Sequence, residues 1–425
     1  MNAPKSPAGR APLMSLDEAL ADLLARVEAM TAEDTVATFD ADGRVLAQDL
    51  VSALQVPPND NSSMDGYALR AADVTEPGQV LRVSQRIAAG HTGGPLEPGT
   101  CARIFTGAPM PAGADAVVMQ EDTIEVGGDI HAAHIQVIPE PGQWVRRAGE
   151  DVTRGAVVLA QGERLSPASL GLAASLGLAQ VPVRVRPRVA MFSTGDELVM
   201  PGDVAPEAMK PGNIYNSNRF FLRTLLQRFG CEVTDLGIVP DQREATVAAL
   251  QGAAEQHDLI LTSGGVSVGE EDHVKPAVQQ LGSLDLWQIG MKPGKPFAYG
   301  TVRRDGGGAC HFIGLPGNPV SSFVTFLLLV RPFLLKLQGV PASRIQTLPL
   351  ATTLPAHFTV ARADKRREFL RVRRNAAGGL DLFPNQSSGV LTSMAWGDGL
   401  VDNPAGTTIA NGDPVSYISF ADLLA

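Results

Sequence analysis

Cysteine is scarce in this chain of 425 residues: Cys101, Cys231 and Cys310 are its only three, far apart and without a CxxC pair. That spacing argues against a disulfide framework and a thiolate zinc cluster, and leaves small buried hydrophobes in a reducing compartment. Histidine is thin as well: seven scattered residues suggest no histidine-metal site, and no Ser-His-Asp or Cys-His set stands out. Excess positive charge is missing, since 35 Lys and Arg against 45 Asp and Glu leave a net −10, the wrong sign for a general nucleic-acid binder. An uninterrupted membrane-length apolar run is missing too. The greasiest stretch, residues 320–337, is broken by Arg331, Pro332 and Lys336 and reads as a buried helix. Residues 1–12 are rich in Pro, Ala and Gly and lack a signal peptide's apolar core. These absences predict a soluble, cytoplasmic protein that binds neither nucleic acid nor membrane. No repeat of solenoid period occurs.

What is present is an ordered change of texture along a chain long enough for about two to four domains. Leu16, Ala19, Leu20, Leu23, Leu24 and Val27 share one helical face, and Ser15 with Glu18 forms a capping-box pattern ahead of them. Residues 56–149 alternate short β-prone runs with dense Gly/Pro turns, which predicts a β-rich domain inserted between two parts of a helical, elongated one, 13–55 and 150–187. From 188 to 340 strand and helix alternate. Strands are expected at 189–193, 232–238, 259–262, 284–289, 297–301 and 311–315, and helices near 217–229, 244–256, 274–280 and 320–337. That order predicts a central doubly wound, mostly parallel sheet. Residues 341–425 turn β-rich again, as a small barrel. The fold class is α/β multidomain.

Two segments of the central region carry the strongest chemical signal. Val189–Leu198 and Asp258–Asp272 are each an apolar run of buried-strand length, ending in small residues and then carboxylates. Loops at the carboxyl ends of parallel strands are where such sheets bind ligands. Small residues there expose backbone N–H groups to an anion, and carboxylates can hold a hard cation such as Mg²⁺. Glu270, Glu271 and Asp272 are adjacent, and Asp196, Glu197 and Asp241 stand at equivalent strand ends, so several of these acids are expected to meet in one crevice. The plain alternative for the acidic loop is a helix that starts with acids to suit its dipole.

Other segments complete the set. Met291-Lys-Pro-Gly-Lys-Pro296 holds Lys292 and Lys295 in a stiff clamp, unless it is a solvated turn. In Gly314-Leu-Pro-Gly-Asn-Pro319, Asn318 is placed to cap and Pro319 to start the long helix, whose N-terminus is a ready anion site. Residues 57–69, 103–115 and 145–151 read as structured turns and a charged boundary of the β-rich domain. Residues 362–374 are a basic strand, either the solvated face of a sheet or, if turned to the crevice, an anion contact.

Taken in order, these segments resemble the MoeA family, the molybdopterin molybdenumtransferases, which include the E domain of gephyrin. The matching text comprises Pro57–Leu69, Arg103–Asp122, Arg146–Val152, Ser193–Leu198, Ile214–Asn218, Leu261–Gly269, Met291–Pro296, Leu315–Ser321 and Ser388–Leu391. The resemblance implies a homodimer with active sites between subunits. It implies that adenylylated molybdopterin and molybdate are the substrates, that AMP leaves in an Mg²⁺-dependent step, and that a MogA-like adenylyltransferase is a partner. By the same resemblance Asp60, Thr106, Asp151, Lys292 and Lys295 are catalytic, and Glu197, Asp241 and Asp272 hold the metal. Ser193, Gly264, Gly265, Pro316, Pro319, Arg367 and Ser388 bind substrate. The sequence departs from the family at Asn59, where Phe is common, at Ser63 for Ala and at His273 for Tyr; none removes a proposed charge. Two rival readings remain, a MogA-like adenylyltransferase and a non-catalytic gephyrin-like scaffold.

Overall fold

Apolar alternation builds the first sheet of the molecule. The computed structural model describes residues 13–126, 131–265, 273–345 and 351–424, so Asp272, with Glu270 and Glu271, lies outside the described residues. Two units are distinguished: residues 35–42 with 48–182, and the remainder. In the first, strands β1 (Gly66–Leu69), β2 (Gln79–Ile87), β3 (Thr100–Ile104), β4 (Ala116–Met119), β5 (Thr123–Val126) and β6 (Ala132–Ile135) pair in the order β4-β1-β3-β2-β6-β5. Only the β2–β3 pairing among them is parallel. One face buries Tyr67, Cys101 and Val118, the other Ala68, Ile104 and Val117, as a period of two demands.

The second unit is built on the six strands the apolar runs predicted: β7 (Arg188–Thr194), β8 (Glu232–Val239), β9 (Leu259–Ser263), β10 (Gly282–Gln288), β11 (Pro296–Arg303) and β12 (Ala309–Leu315). Their order is β8-β7-β9-β12-β11-β10. The first four run parallel, β11 runs against them, and β10, antiparallel to β11, runs with the four again. The reversal follows from chain length: Arg304–Gly308 is too short for a crossover and can only turn a hairpin.

Helices cover both faces of this sheet. Met191, Leu261 and Ile313 point to one side, against α1 (Leu16–Ala25), α2 (Asn218–Arg228) and the long apolar helix α5 (Pro319–Leu337). Phe192, Ile260 and Phe312 point to the other, against α3 (Arg243–Gln256) and α4 (Val274–Leu281). Ser15 and Glu18 close the expected capping box at the start of α1, Glu18 N–H donating to Ser15 Oγ at 3.1 Å and Ser15 N–H to Glu18 Oε2 at 2.9 Å. Helix α5 is apolar enough to cross a membrane, yet 83% of its apolar window is buried, which makes it a core helix. It is α-helical over Pro319–Thr325, π-helical over Phe326–Val330 and α-helical again to Leu337.

The C-terminal strands β13 (Thr352–Pro355), β14 (Arg367–Arg374), β15 (Gly399–Asn403) and β16 (Pro414–Ser419) form a second sheet of this unit. Its path runs from the two-residue strand Met291–Lys292 through β14, β15 and β16 to β13. Lys292 is thereby set beside Glu368, in parallel register.

Candidate functional site

The carboxyl ends of β7, β9 and β12 are level, with Ser193 beside Ser263 and Ser263 beside Leu315. Past these ends the chain turns at Gly195, Gly264 and Gly317, and a cleft of about 640 Å³ opens, lined by Thr194, Glu197, Asn218, Gly264, Gly317 and Asn318 among others. The Asn218 amide holds it together, donating 2.8 Å hydrogen bonds to Ser263 Oγ and to the Gly317 carbonyl. Gly265 has φ +67°, and a Cβ there would meet Val274 Cγ2 at 2.5 Å, so glycine is required for backbone to come this close.

Each sequence-predicted residue finds its place around this cleft or away from it. Ser193 is buried in β7 and Pro316 is buried beneath the mouth. Glu197 is exposed and lines the cleft. Asp241 sits at the turn after β8 and is not among the lining residues. Pro319 opens α5 as predicted, but Asn318 does not cap it: its side chain makes no cap bond. The Val320 N–H instead donates to the Ser388 carbonyl at 3.0 Å, and of the segment so anchored Gly389 and Leu391 line the cleft, as does Asn318. Among the described residues no group of three Asp, Glu, His or Cys is placed to hold a metal ion. The described part of the cleft offers one lining carboxylate, Glu197.

The lysine turn packs on the same helix. Gly294 has φ +107°, and a Cβ there would lie 2.4 Å from Thr325 Oγ1 of α5. Its two lysines differ sharply. Lys292 Nζ lies 2.9 Å from Glu368 Oε1 and 3.3 Å from Asp364 Oδ2, and Glu368 is only 5% exposed. The hydrogen bond that Lys292 donates to Glu368 raises the lysine pKa, while Arg366 at 3.2 Å, chiefly, holds Asp364 well below the usual carboxylate range. Lys295 is half-buried, and its ammonium has no hydrogen-bond or ion-pair partner among the described residues.

Arg367 is not brought to Lys292. It forms a two-pronged pair with Asp402, its Nε 2.7 Å and Nη2 2.5 Å from the carboxylate, and reaches Asp17 at 3.3 Å. Strand alternation explains this, since Glu368 faces the lysine and its neighbour cannot. The same basic strand buries Arg371 to 1% exposure, with its guanidinium donating to Ser393 Oγ and to the Phe369 and Ser387 carbonyls. Burial pushes its pKa down to about 10. Neither a solvated face nor a crevice contact describes that residue.

In the other unit the segment 57–63 lies between two loops: Ser62 N–H donates to the Ala108 carbonyl, and Asp151 and Gly149 N–H donate to Val56 and Pro57. Asp60, Thr106 and Asp151 thus occupy three adjoining segments. Asp60 accepts from Ala148 N–H at 2.8 Å and from Arg147 at 2.7 Å, which lowers its pKa, the backbone bond most. Asp151 is exposed. Thr106 is held by Asp65, which accepts its N–H at 2.8 Å and its hydroxyl at 2.7 Å. Sequence reasoning passed over Asp65; its signal was the Asp-Gly step ending the turn-rich loop.

Comparison with known proteins matches this geometry along the chain. A model of the MoeA N-terminal region (domain I and II) covers residues 14–177, a probable molybdopterin binding domain 190–336, and the MoeA C-terminal region (domain IV) 353–420. The molybdopterin molybdenumtransferase of Haemophilus influenzae is 43% identical over 329 residues, 77% of this chain and 78% of that protein. The one from a Nostoc species is 34% identical over 405 residues, 93% of this chain and 90% of its own. In structure, the chain is similar to a molybdopterin biosynthesis MoeA protein from Pyrococcus horikoshii, with a TM-score of 0.80 at 27% identity, covering 96% of this chain and all 100% of that one. With three consecutive regions matched and relatives this similar over most of their length, the chain belongs to the MoeA family of molybdopterin molybdenumtransferases.

Proposed function

We propose that this protein inserts molybdenum into adenylylated molybdopterin with release of AMP, using the cleft at the ends of β7, β9 and β12. The observation that carries this reading is the pairing of an amide-lined cleft at the start of α5 with an ammonium, Lys295, that has no partner among the described residues, on the turn packed against that helix. The Gly265 N–H and the Asn318 amide suit phosphate oxygens, while Gly264 and Pro319 shape the walls and the buried Ser193 and Pro316, with the Ser388 carbonyl, hold the backbone behind them. Lys295 supplies positive charge to the oxyanion. Lys292, spent on Glu368 and Asp364, fixes the turn that presents it. Mg²⁺ is ordinarily held by one or two carboxylates plus substrate phosphates, so Glu197 would be its first ligand here, and Asp241 and Asp272 would share that duty. When bound, the ion neutralises charge on the pyrophosphate.

Asp60, Thr106 and Asp151 complete the site from the β-rich unit of a second subunit. A homodimer is supported by apolar groups left in solvent on that unit: Phe39 is 99% exposed, and Val51 and Val157, cross-strand neighbours, are 54% and 53% exposed. A MogA-like adenylyltransferase is the class of partner that would supply the adenylylated pterin, and the cytoplasm the compartment. The deciding experiment measures AMP release and cofactor formation by purified protein given adenylylated molybdopterin and Mg²⁺, with and without molybdate. Molybdate-dependent release with active cofactor is expected. Tight pterin binding without turnover would replace this reading with the scaffold.

A further inference from the structure

The β-rich unit holds a second cleft that the function above does not use. It measures about 670 Å³ and is lined by Tyr67, Ser84, Gln85, Arg86, Arg103 and Phe105 among others. Its two arginines stand directly opposite each other across β2 and β3, Arg86 beside Arg103. Both lean on one ring: the Arg86 Cζ lies 4.6 Å and the Arg103 Cζ 4.8 Å from the Phe105 centroid, and Arg103 is also 5.2 Å from the ring of the buried Tyr67.

Strand geometry shows that this juxtaposition is built. On simple alternation Arg86 would face away from Leu81 and Val83, which pack on the same side of the sheet as Tyr67 and Cys101. The register shifts between Val83 and Gln85, so that Ser84 is an extra residue. That bulge turns Arg86 onto the face of Arg103, and re-aiming a side chain is what bulges do beside binding sites. Two adjacent surface cations repel by up to roughly 1 kcal/mol. Among the described residues no carboxylate forms an ion pair with either guanidinium. Arg103 donates to the Gly66 carbonyl and to Gln120 Oε1. Asp65, the carboxylate that feels its charge, is hydrogen-bonded to Thr106. The Arg86 guanidinium makes no hydrogen bond or ion pair among the described residues.

We propose that this cleft binds a phosphate monoester carrying a ring, of the nucleoside monophosphate class. A planar fork of free N–H donors fixed over an aromatic face matches a phosphoryl group in two-pronged fashion. Two cations balance a dianion, and a concave volume of this size suits a small molecule better than a protein surface. The proposal rests on this unit alone and not on the reading of the α5 cleft.

The test is calorimetric titration of the full-length protein with AMP, adenosine, inorganic phosphate and a hexaglutamate peptide, repeated on Arg86→Gln, Arg86→Lys and Phe105→Leu. Arg86 is exposed, so its variants fold, and Lys295→Ala separates any AMP bound in the α5 cleft. AMP is expected to bind at least tenfold more tightly than adenosine, to weaken at least tenfold in Arg86→Gln, and to recover partly in Arg86→Lys. Phosphate binding as tightly as AMP, with the same Arg86 dependence, supports the anion site and identifies free phosphate as its source. Equal AMP binding by Arg86→Gln and the unaltered protein overturns the proposal. So does Arg86-dependent binding of the peptide without binding of AMP.

Discussion

The cleft at the start of α5 and the corner around Lys292 are neighbours in one unit and are built on opposite plans. The cleft is made of glycine turns, small hydroxyls and one amide network, with Glu197 its one lining carboxylate among the described residues. The corner is crowded with charge, and its central charges are paired: Lys292 with Glu368 and Asp364, and Asp364 in turn with Arg366. A charge that already has its partner inside the fold serves to hold shape, while an uncommitted one is available to a ligand. Lys292 and Lys295, three residues apart in one turn, fall on the two sides of that division.

The sharpest way to break the comparison is to remove the free lysine. Lys295→Ala should cost at least about a hundredfold in AMP release, the scale on which one oxyanion-stabilising donor counts. Its urea midpoint should stay put, because the side chain makes no hydrogen bond or ion pair among the described residues. A large stability loss with activity kept would invert the assignment. Glu368→Ala should do the reverse first: it leaves Lys292 without its main partner and frees Asn403, and should lower unfolding free energy by about 1–3 kcal/mol, less than a fully buried pair because the lysine is partly in solvent.

A smaller effect is expected at the turn between them. Gly294→Ala meets both a positive φ and the Thr325 hydroxyl, and should cost about 1–2 kcal/mol in denaturant unfolding, with a rise in the substrate's KM as the lysine turn shifts. The smallest is in pH dependence. The raised Lys292 pKa contributes stability fully present below the ordinary lysine value, about 10.4, and lost as pH rises through its folded value. The depressed Asp364 pKa contributes stability present above about 3.9 and lost as pH falls through its folded value. Glu368→Gln should therefore flatten the alkaline limb of a stability profile and leave the acid limb nearly unchanged; a flattened acid limb would show that Glu368, not Arg366, governs Asp364.

Much of this was legible in the sequence for local reasons. A strand buried on both faces is written as a continuous apolar run, so β7, β9 and β12 could be read residue by residue, and the capping box at Ser15 needs only four residues. The site's turns were legible because glycine and proline mark them. What could not be read depended on partners far away in the chain. Arg367 looks free until Asp402 and Asp17, 35 and 350 residues distant, are brought to it. Arg371 looks solvated until Ser393 and the Ser387 carbonyl close over it. Asn318 has the right type for a cap, yet the Val320 N–H goes to a carbonyl 68 residues further on, at Ser388.

The strand Met291–Lys292 has a consequence for how this architecture can be inherited. The C-terminal sheet takes its edge from the central region, in parallel register with β14, and the Arg367 N–H donates to the Gly290 carbonyl to anchor the join. Residues 351–424 are therefore not a detachable cassette. Grafted onto another protein, they would carry Glu368 with no ammonium to meet it and β14 with an open flank ready to pair with a stranger. Recombination that respects the fold has to move the lysine turn along with the C-terminal sheet, so the heritable module is wider than the stretch of chain that composes the sheet.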